Sequence, residues 1–403
     1  SLCNKSYRNL MFKLINMYIM KSIKYFLALL LISSLLVNCT HDPYQPVDGV
    51  DGIDGVDGVD ASAAECIECH SNAVRDPIAH QYDISGHAIG TSWARGTSAS
   101  CAQCHNNQGY IDLYSGQYAD DDGNPSANPD GYQHSTAVSC TGCHDSHRSF
   151  DFENDGQDYA LRNIEAVKLM VDENYTIDMG LGSNTCVTCH QPRRSGPTDD
   201  GNGTFKMTST HWGPHHGPQS TLLEGIQGSL IPGSMSYPGI ASAAHRTGSS
   251  CVKCHMGETT NEMDGGHTWW STDNACTSCH SSGIPSEVSG LESDMELLLT
   301  LLENVIGWEY QYEVDSNGDL VLDGNGDPII VLDGNGDPIT LEVHGIIHDG
   351  HPNTGSFGEG ATFTILEAEA AWNYLFIYED NSKGIHNPDY AKALIRNSIE
   401  ALD

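Results

Sequence analysis

The sequence predicts short helices and irregular coil wrapped around a row of large planar groups. A C-terminal long-helix segment carrying a β-hairpin insertion closes the chain. Three observations lead there. The pattern Cys-x-x-Cys-His occurs six times between Cys66 and His280 and takes up 12 of the 14 cysteines. The intervals between copies are rich in Gly, Ser, Asn and Asp and show little apolar periodicity, so residues 66–287 lack the aliphatic material of an ordinary core. From residue 288 onward, apolar residues return at helical spacing.

The repeated pattern carries the chemistry. Its copies are Cys66–His70, Cys101–His105, Cys140–His144, Cys186–His190, Cys251–His255 and Cys276–His280. Cys-x-x-Cys-His is the attachment site of c-type haem. The thiols of Cys66 and Cys69, Cys101 and Cys104, Cys140 and Cys143, Cys186 and Cys189, Cys251 and Cys254, and Cys276 and Cys279 would add to the haem vinyl groups. His70, His105, His144, His190, His255 and His280 would stand beneath the irons as proximal ligands. Zinc closes its sites with two such pairs, or one pair and further histidines, and does not require His directly after Cys. A thioredoxin-like pair occurs once, and a disulfide framework does not repeat one short spacing. The expectation is six c-type haems in a multihaem cytochrome c, with the haem plates standing in for an aliphatic interior.

The segments follow in order. Residues 1–38 hold Lys5, Arg8, Lys13, Lys21, Lys24 and no acid, and from Met20 a short basic region leads into the apolar run Tyr25–Val37. This reads as a signal peptide, with residues 1–19 lying upstream of the true start. Leu36-Val37-Asn38-Cys39 resembles a lipobox and makes Cys39 the candidate lipidation site, although Asn38 replaces the usual small residue. The protein is therefore expected to be exported as an outer-membrane or cell-surface lipoprotein, its haem domain in the periplasm or outside the cell. Export agrees with haem attachment, which takes place outside the cytoplasmic membrane. Residues 39–65 read as a lipid-anchored linker whose Asp-Gly repeat at 48–60 makes an acidic, self-repelling spacer. Five of the 18 basic residues and none of the 54 acidic ones precede Cys39, leaving a formal charge of −41 beyond it. That charge excludes nucleic acid as a partner. It favours basic redox proteins, cationic electron acceptors or Ca²⁺. Oligomeric state stays open.

The haem domain spans residues 66–287, with one regular helix expected at Gln157–Val171. Successive motifs start 25 to 65 residues apart, which forces neighbouring haems together. Sixth ligands must come from the histidines outside the motifs. The candidates are His87 in Ser-Gly-His-Ala, His134 and His245, each six residues before a motif cysteine, and His147 in Cys-His-Asp-Ser-His. His215 in Trp-Gly-Pro-His-His-Gly-Pro and His267 in Gly-Gly-His-Thr-Trp-Trp complete the group from this region. His80, His211, His344, His348 and His351 read as surface residues, and Met256 or Met235 would be alternatives at one iron.

Residues 288–403 form the C-terminal segment. Leu291, Met295, Leu298, Leu302, Val305 and Ile306 share one helical face. A β insertion follows at 308–343. Within it, Asp323, Asn325, Asp327 and Asp333, Asn335, Asp337 alternate like the start of a calcium loop, as does Asp315-x-Asn317-x-Asp319, but the bidentate Glu is missing. Asn-Gly and Gly-Asp are also hairpin formers, so Ca²⁺ and plain turns both fit. A helix is expected at about Thr364–Lys383, stopped by Gly384, and another after Asn387 with Pro388 at its first position.

Gly384-Ile385-His386-Asn387-Pro388-x-Tyr390-Ala391, after an aromatic-rich helix, resembles the C-terminal region of the cytochrome c nitrite reductase and hydroxylamine oxidoreductase group of multihaem cytochromes. That resemblance implies a distal ligand role for His386. The Cys-x-x-Cys-Lys motif typical of the nitrite reductases is absent. Two functions follow. The first is an electron carrier with every iron six-coordinate, passing electrons along six haems at the outer envelope, including extracellular transfer. The second is an oxidoreductase acting on a small nitrogen or sulfur compound at one open haem, with His211 as proton donor and Arg193 and Arg194 as an anion clamp. The wealth of spare histidines favours the carrier, and no catalytic residue is assigned.

Overall fold

The two last helices start where the sequence marks their ends. In the computed structural model, which describes residues 63–148, 159–258 and 261–403, Thr364 and Glu367 form a reciprocal capping box. The Thr364 hydroxyl accepts the Glu367 N–H at 3.3 Å and the Glu367 carboxylate accepts the Thr364 N–H at 2.8 Å. The helix that follows, Ile365–Asp380, is α2 here, after α1 at Leu291–Asn304. Asn387 then caps α3, Pro388–Leu402, by accepting the Tyr390 N–H at 3.2 Å, with Pro388 in the first turn. Between α2 and α3 the chain turns at Gly384, whose φ of +80° favours glycine and whose missing Cβ would sit 2.4 Å from Leu291 Cδ2.

Cα proximity divides the chain into residues 1–60 and 61–403. The expected signal peptide and the lipidation site Cys39 lie outside the described residues, as does the acidic repeat of the linker. Among the described residues, no helix is long and apolar enough to cross a membrane.

The main core is built on α2. Trp372 and Phe376 are fully buried in it, with Leu298 and Leu302 from α1 and Leu394 and Ile395 from α3. Each such side chain contributes about 1.5–3 kcal/mol by leaving water. Four antiparallel strands lie against these helices: β1 (Thr204–Met207), β2 (Ile306–Tyr310), β3 (Thr340–His344) and β4 (Ala361–Thr364), in the order β1-β4-β2-β3. The register pairs Phe205 with Phe363, Trp308 with Thr362 and Gly307 with Val343. Met207, Leu222 and Ile231 share this core with residues 291–399, so packing continues across the boundary expected at residue 287. Asn373 and Asn397 pin residues 229–235 to the helices: Asn373 Nδ2 donates to Ser229 O at 2.8 Å and Asn397 Nδ2 to Met235 O at 2.9 Å.

The insertion between β2 and β3 is three hairpins closed into a ring. Bridges at Val314–Leu320, Leu322–Pro328 and Leu332–Pro338 close the tips. Glu313 N–H donates to Ile329 O, Ile329 N–H to Val321 O and Val321 N–H to Glu313 O, all at 2.8–2.9 Å. A second ring links Gln311, Val331 and Ile339 in the same way. At each tip the Asp carboxylate serves the turn. Asp323 Oδ1 accepts the N–H groups of Asn325 at 2.8 Å and Asp327 at 3.0 Å, and Asp333 Oδ1 accepts those of Asn335 at 2.8 Å and Asp337 at 3.0 Å. Among the described residues no group of three or more His, Cys, Asp or Glu side chains is placed to hold a metal ion. Of the side chains expected as Ca²⁺ ligands, those of Asp323 and Asp333 close the tip turns.

Residues 63–287 are mainly short helical turns joined by coil, with few apolar side chains buried. A satellite cluster of Val167, Leu169, Ile177, Met179, Val187 and Leu223 is the exception. The helix expected at Gln157–Val171 is not formed in its described part. Residues 157 and 158 lie outside the described residues, and the rest contains a short strand at Val167–Lys168 paired with Thr176–Ile177. Its apolar residues alternate between buried and exposed, a strand period in place of the helical one.

Candidate metal centres

Every Cys-x-x-Cys-His copy sits on a helical turn, which brings cysteines three apart onto one face. The turns are Ala63–His70, Ala99–His105, Cys140–Cys143, Leu181–Val187, Cys251–His255 and Asp273–Thr277. The His N–H closes the turn onto the first cysteine's carbonyl, at 2.8 Å for His144, 3.0 Å for His190 and 2.9 Å for His280. None of the twelve motif cysteines is paired in a disulfide.

Each motif histidine faces one histidine from outside the motifs. The ring centroids are 6.1 Å apart for His70 and His147, 6.3 Å for His190 and His87, and 6.2 Å for His105 and His215. They are 6.3 Å for His144 and His267, 6.1 Å for His280 and His245, and 6.2 Å for His255 and His386. A metal bonded to one nitrogen of each ring at about 2.0 Å, with that nitrogen about 1.15 Å from its ring centre, separates the centroids by about 6.3 Å. Ordinary stacking of two imidazoles has no reason to recur at this one spacing. The side chains present therefore fit six irons, each between two imidazoles with a cysteine pair beside it.

The sequence motifs around the facing rings explain their positions. His215 and His216 both adopt positive φ, +70° and +54°. Such strain in non-glycine residues persists only where the surroundings demand it. Gly217 permits the turn, because a Cβ there would meet Gln191 O at 2.7 Å. Gly265 and Gly266 also have positive φ, and a Cβ on Gly266 would lie 2.4 Å from Gln81 Oε1, the same atom that accepts the His267 N–H at 3.0 Å. Ser85 caps the turn that carries His87, accepting the Ala88 N–H at 3.3 Å. His386 stands between the end of α2 and the start of α3.

Second partners orient several rings. His144 Nδ1 lies 2.8 Å from Tyr159 O, His190 Nδ1 3.2 Å from Gln219 Oε1 and His255 Nδ1 2.9 Å from Trp269 O. His386 Nδ1 lies 2.6 Å from Asp380 Oδ1. Burial favours the neutral form, the state in which imidazole binds metal, in six of the twelve rings. Burial and then the neighbouring His190 push His87 down to about 4, and burial followed by Arg193 pushes His215 down to about 4. Burial likewise lowers His105, His190, His255 and His267. Burial also disfavours the cation of His386, but the Asp380 carboxylate outweighs it and the pKa rises.

Six of the seven expected distal histidines are thus brought to a motif histidine, and one is not. His134 is exposed and faces none of the six motif rings, so its spacing from Cys140 is not a ligand signal. His211, His344, His348 and His351 are exposed, and His80 lies 3.9 Å from Glu262. His216 pairs with Glu379. Every motif histidine faces another histidine, so neither Met235 nor Met256 is needed. Arg193 reaches back toward Cys101, its Nη1 3.8 Å from the sulfur. Two residues carried no sequence signal. Trp269 packs edge-on against His87 at 4.5 Å and His267 at 5.5 Å while its carbonyl takes His255. Asp380 was one acid among 54.

The motif turns also touch one another. Cys104 Sγ lies 3.9 Å from Thr188 O and Cys189 Sγ 3.8 Å from Gln103 O, so the second and fourth turns stand sulfur to backbone. The fourth and fifth meet where the Val252 N–H donates to Ser183 Oγ at 3.2 Å. The Thr272 N–H, just before the sixth turn, donates to Cys254 O at 3.4 Å.

No protein-family description matches the chain, and no curated protein matches its sequence. Among solved structures, the crystal structure of the outer cell wall cytochrome OcwA superposes on 80% of this chain and 50% of its own, with a TM-score of 0.41 and 17% identity. The chain spans half the length of that cytochrome, and a superposition this distant does not define a shared fold. These comparisons do not confirm the likeness to the nitrite reductase and hydroxylamine oxidoreductase group.

Proposed function

We propose that this chain is an exported multihaem cytochrome c that carries electrons along six c-type haems, each iron held between a motif histidine and the ring facing it. The carrying observation is the common spacing: six motif histidines, six partners, centroids all within 6.1–6.3 Å. The bound haem supplies a one-electron couple. The chain supplies two thioether anchors per site from Cys-x-x-Cys, two neutral imidazoles, and short contacts between neighbouring turns. Arg193, beside Cys101 and the His105–His215 pair, suits a haem propionate better than a substrate clamp.

The carrier reading is favoured over the oxidoreductase because no motif histidine is left facing an empty side. A catalytic haem needs an open position, and His211, the proposed proton donor, is not beside any of the six pairs in the ring contacts. Export and anchoring through Cys39 are supported by the basic-apolar leader and the lipobox-like stretch. The charge of −41 beyond Cys39 suits basic redox proteins or cationic acceptors at the outer envelope.

The test is haem content, spin state and ligand uptake on the holoprotein. Pyridine haemochrome and intact mass should give six haems per chain. Electron paramagnetic resonance of the oxidised protein should show low-spin iron only, and the reduced protein should bind no carbon monoxide. A high-spin signal with carbon monoxide uptake near one per chain would move the assignment to the oxidoreductase.

A further inference from the structure

We propose that Asp380 lowers the potential of the iron of the fifth motif, between His255 and His386. This rests on the ligation proposed above. The second partners of the paired rings differ in charge. Tyr159 O, Gln219 Oε1, Trp269 O and, for His245, Ile385 O are neutral oxygens. The second partner of His386 is the Asp380 carboxylate, 2.6 Å from Nδ1. Its side chain is 0% exposed, so little solvent screens it.

A carboxylate that accepts the Nδ1 proton makes the other ring nitrogen a stronger donor. A stronger donor stabilises ferric over ferrous iron and lowers the potential. Two features add to this. Asp380 is the last residue of α2, where unpaired helix carbonyls carry partial negative charge. The opposite ligand of the same iron, His255, also has its Nδ1 on a carbonyl, that of Trp269, so both axial rings are strengthened. Ser382 opposes the effect: its N–H at 3.1 Å and its hydroxyl both donate to Asp380 Oδ2 and draw charge from the carboxylate. Asp380 is a positioning and tuning residue and touches no reacting atom.

Two variants of the holoprotein test this by spectropotentiometric titration. Asp380→Asn keeps an oxygen for Nδ1 and removes the charge. One of the six couples should rise by about 59 mV, the one-electron equivalent of a tenfold change in relative affinity, with the other five unmoved and the iron still low-spin. Ser382→Ala frees the carboxylate from one donor, so the same couple should fall. This milder variant decides the matter if Asp380→Asn does not fold. A purely structural Asp380 predicts no selective movement in either variant. Unmoved couples, or movement of all six together, overturn the assignment while leaving six-coordinate ligation intact. Carbon monoxide binding by the reduced wild type would instead remove the ligation on which it rests.

Discussion

Replacing His386 by alanine should open one iron and leave five unchanged. The ring contributes one of the twelve imidazoles, and its centroid stands 6.2 Å from that of His255. The backbone around it is fixed independently of the ring. Asn387 caps α3, Gly384 turns against Leu291, and the His386 N–H reaches Ser382 Oγ at 3.3 Å. The space left is therefore imidazole-sized, with His255 on one side and the Asp380 carboxylate on another. About a sixth of the haem should become high-spin or water-ligated, and on reduction the variant should take up about one carbon monoxide per chain where wild type takes none. Added imidazole should refill the space, restore the low-spin signal and block carbon monoxide, because Asp380 still offers its acceptor. Electron paramagnetic resonance and carbon monoxide titration read both effects. A variant that stays fully low-spin and binds no more carbon monoxide than wild type refutes the ligand assignment. Imidazole that fails to rescue an opened iron refutes the account of the vacated space.

Other outcomes are equally direct. His134→Ala should change neither spin state nor carbon monoxide uptake, since the ring is exposed and faces none of the six motif rings; a high-spin signal in this variant would show that the pairing is wrong. Leu394→Ala, at a fully buried position of α3, should cost about 2–5 kcal/mol and lower the melting temperature without shifting any haem couple. Melting with chelator and with Ca²⁺ should coincide, because the tip carboxylates already take two backbone N–H groups each; a rise with Ca²⁺ would restore the metal reading of the hairpins. Cys39→Ala should abolish incorporation of radiolabelled fatty acid, and persistent label would place the anchor elsewhere.

The site was more legible in the sequence than the fold. The attachment motif is local, so five residues specify it wherever the chain goes. Five of the histidines that face a motif ring stood in stretches whose glycines and prolines marked a constrained backbone or close to a motif, and His386 was marked by the helix stop and cap on either side of it. His134 misled because sequence distance from a motif says nothing about direction. The partner of each motif histidine was not readable, since it comes from a remote segment and depends on how the turns stack. Gln157–Val171 failed as a helix because its apolar residues fit a short alternating strand as well, and strand pairing with Thr176–Ile177 decides. The three hairpin tips were visible, but their closure into hydrogen-bonded rings is a contact among three segments that no single stretch announces. Asp380 was hidden because one buried acid looks like any other until its neighbour is known.

The pairing of remote histidines has a consequence for how the protein comes into being. His70 with His147, His87 with His190, His105 with His215 and His144 with His267 span overlapping stretches of chain. On the proposed ligation each iron would act as a cross-link, closing a loop much as a disulfide does. Because the loops interleave, no one of them encloses a segment that can come loose alone. Before attachment, the parts of residues 63–287 that do not join the main core have little but a satellite apolar cluster to hold them, so on the proposed ligation their assembly would be coupled to metal as in small metalloproteins that are unfolded without it. The chain would stay open enough for each cysteine pair to be reached, and lock only as successive irons find their second ring.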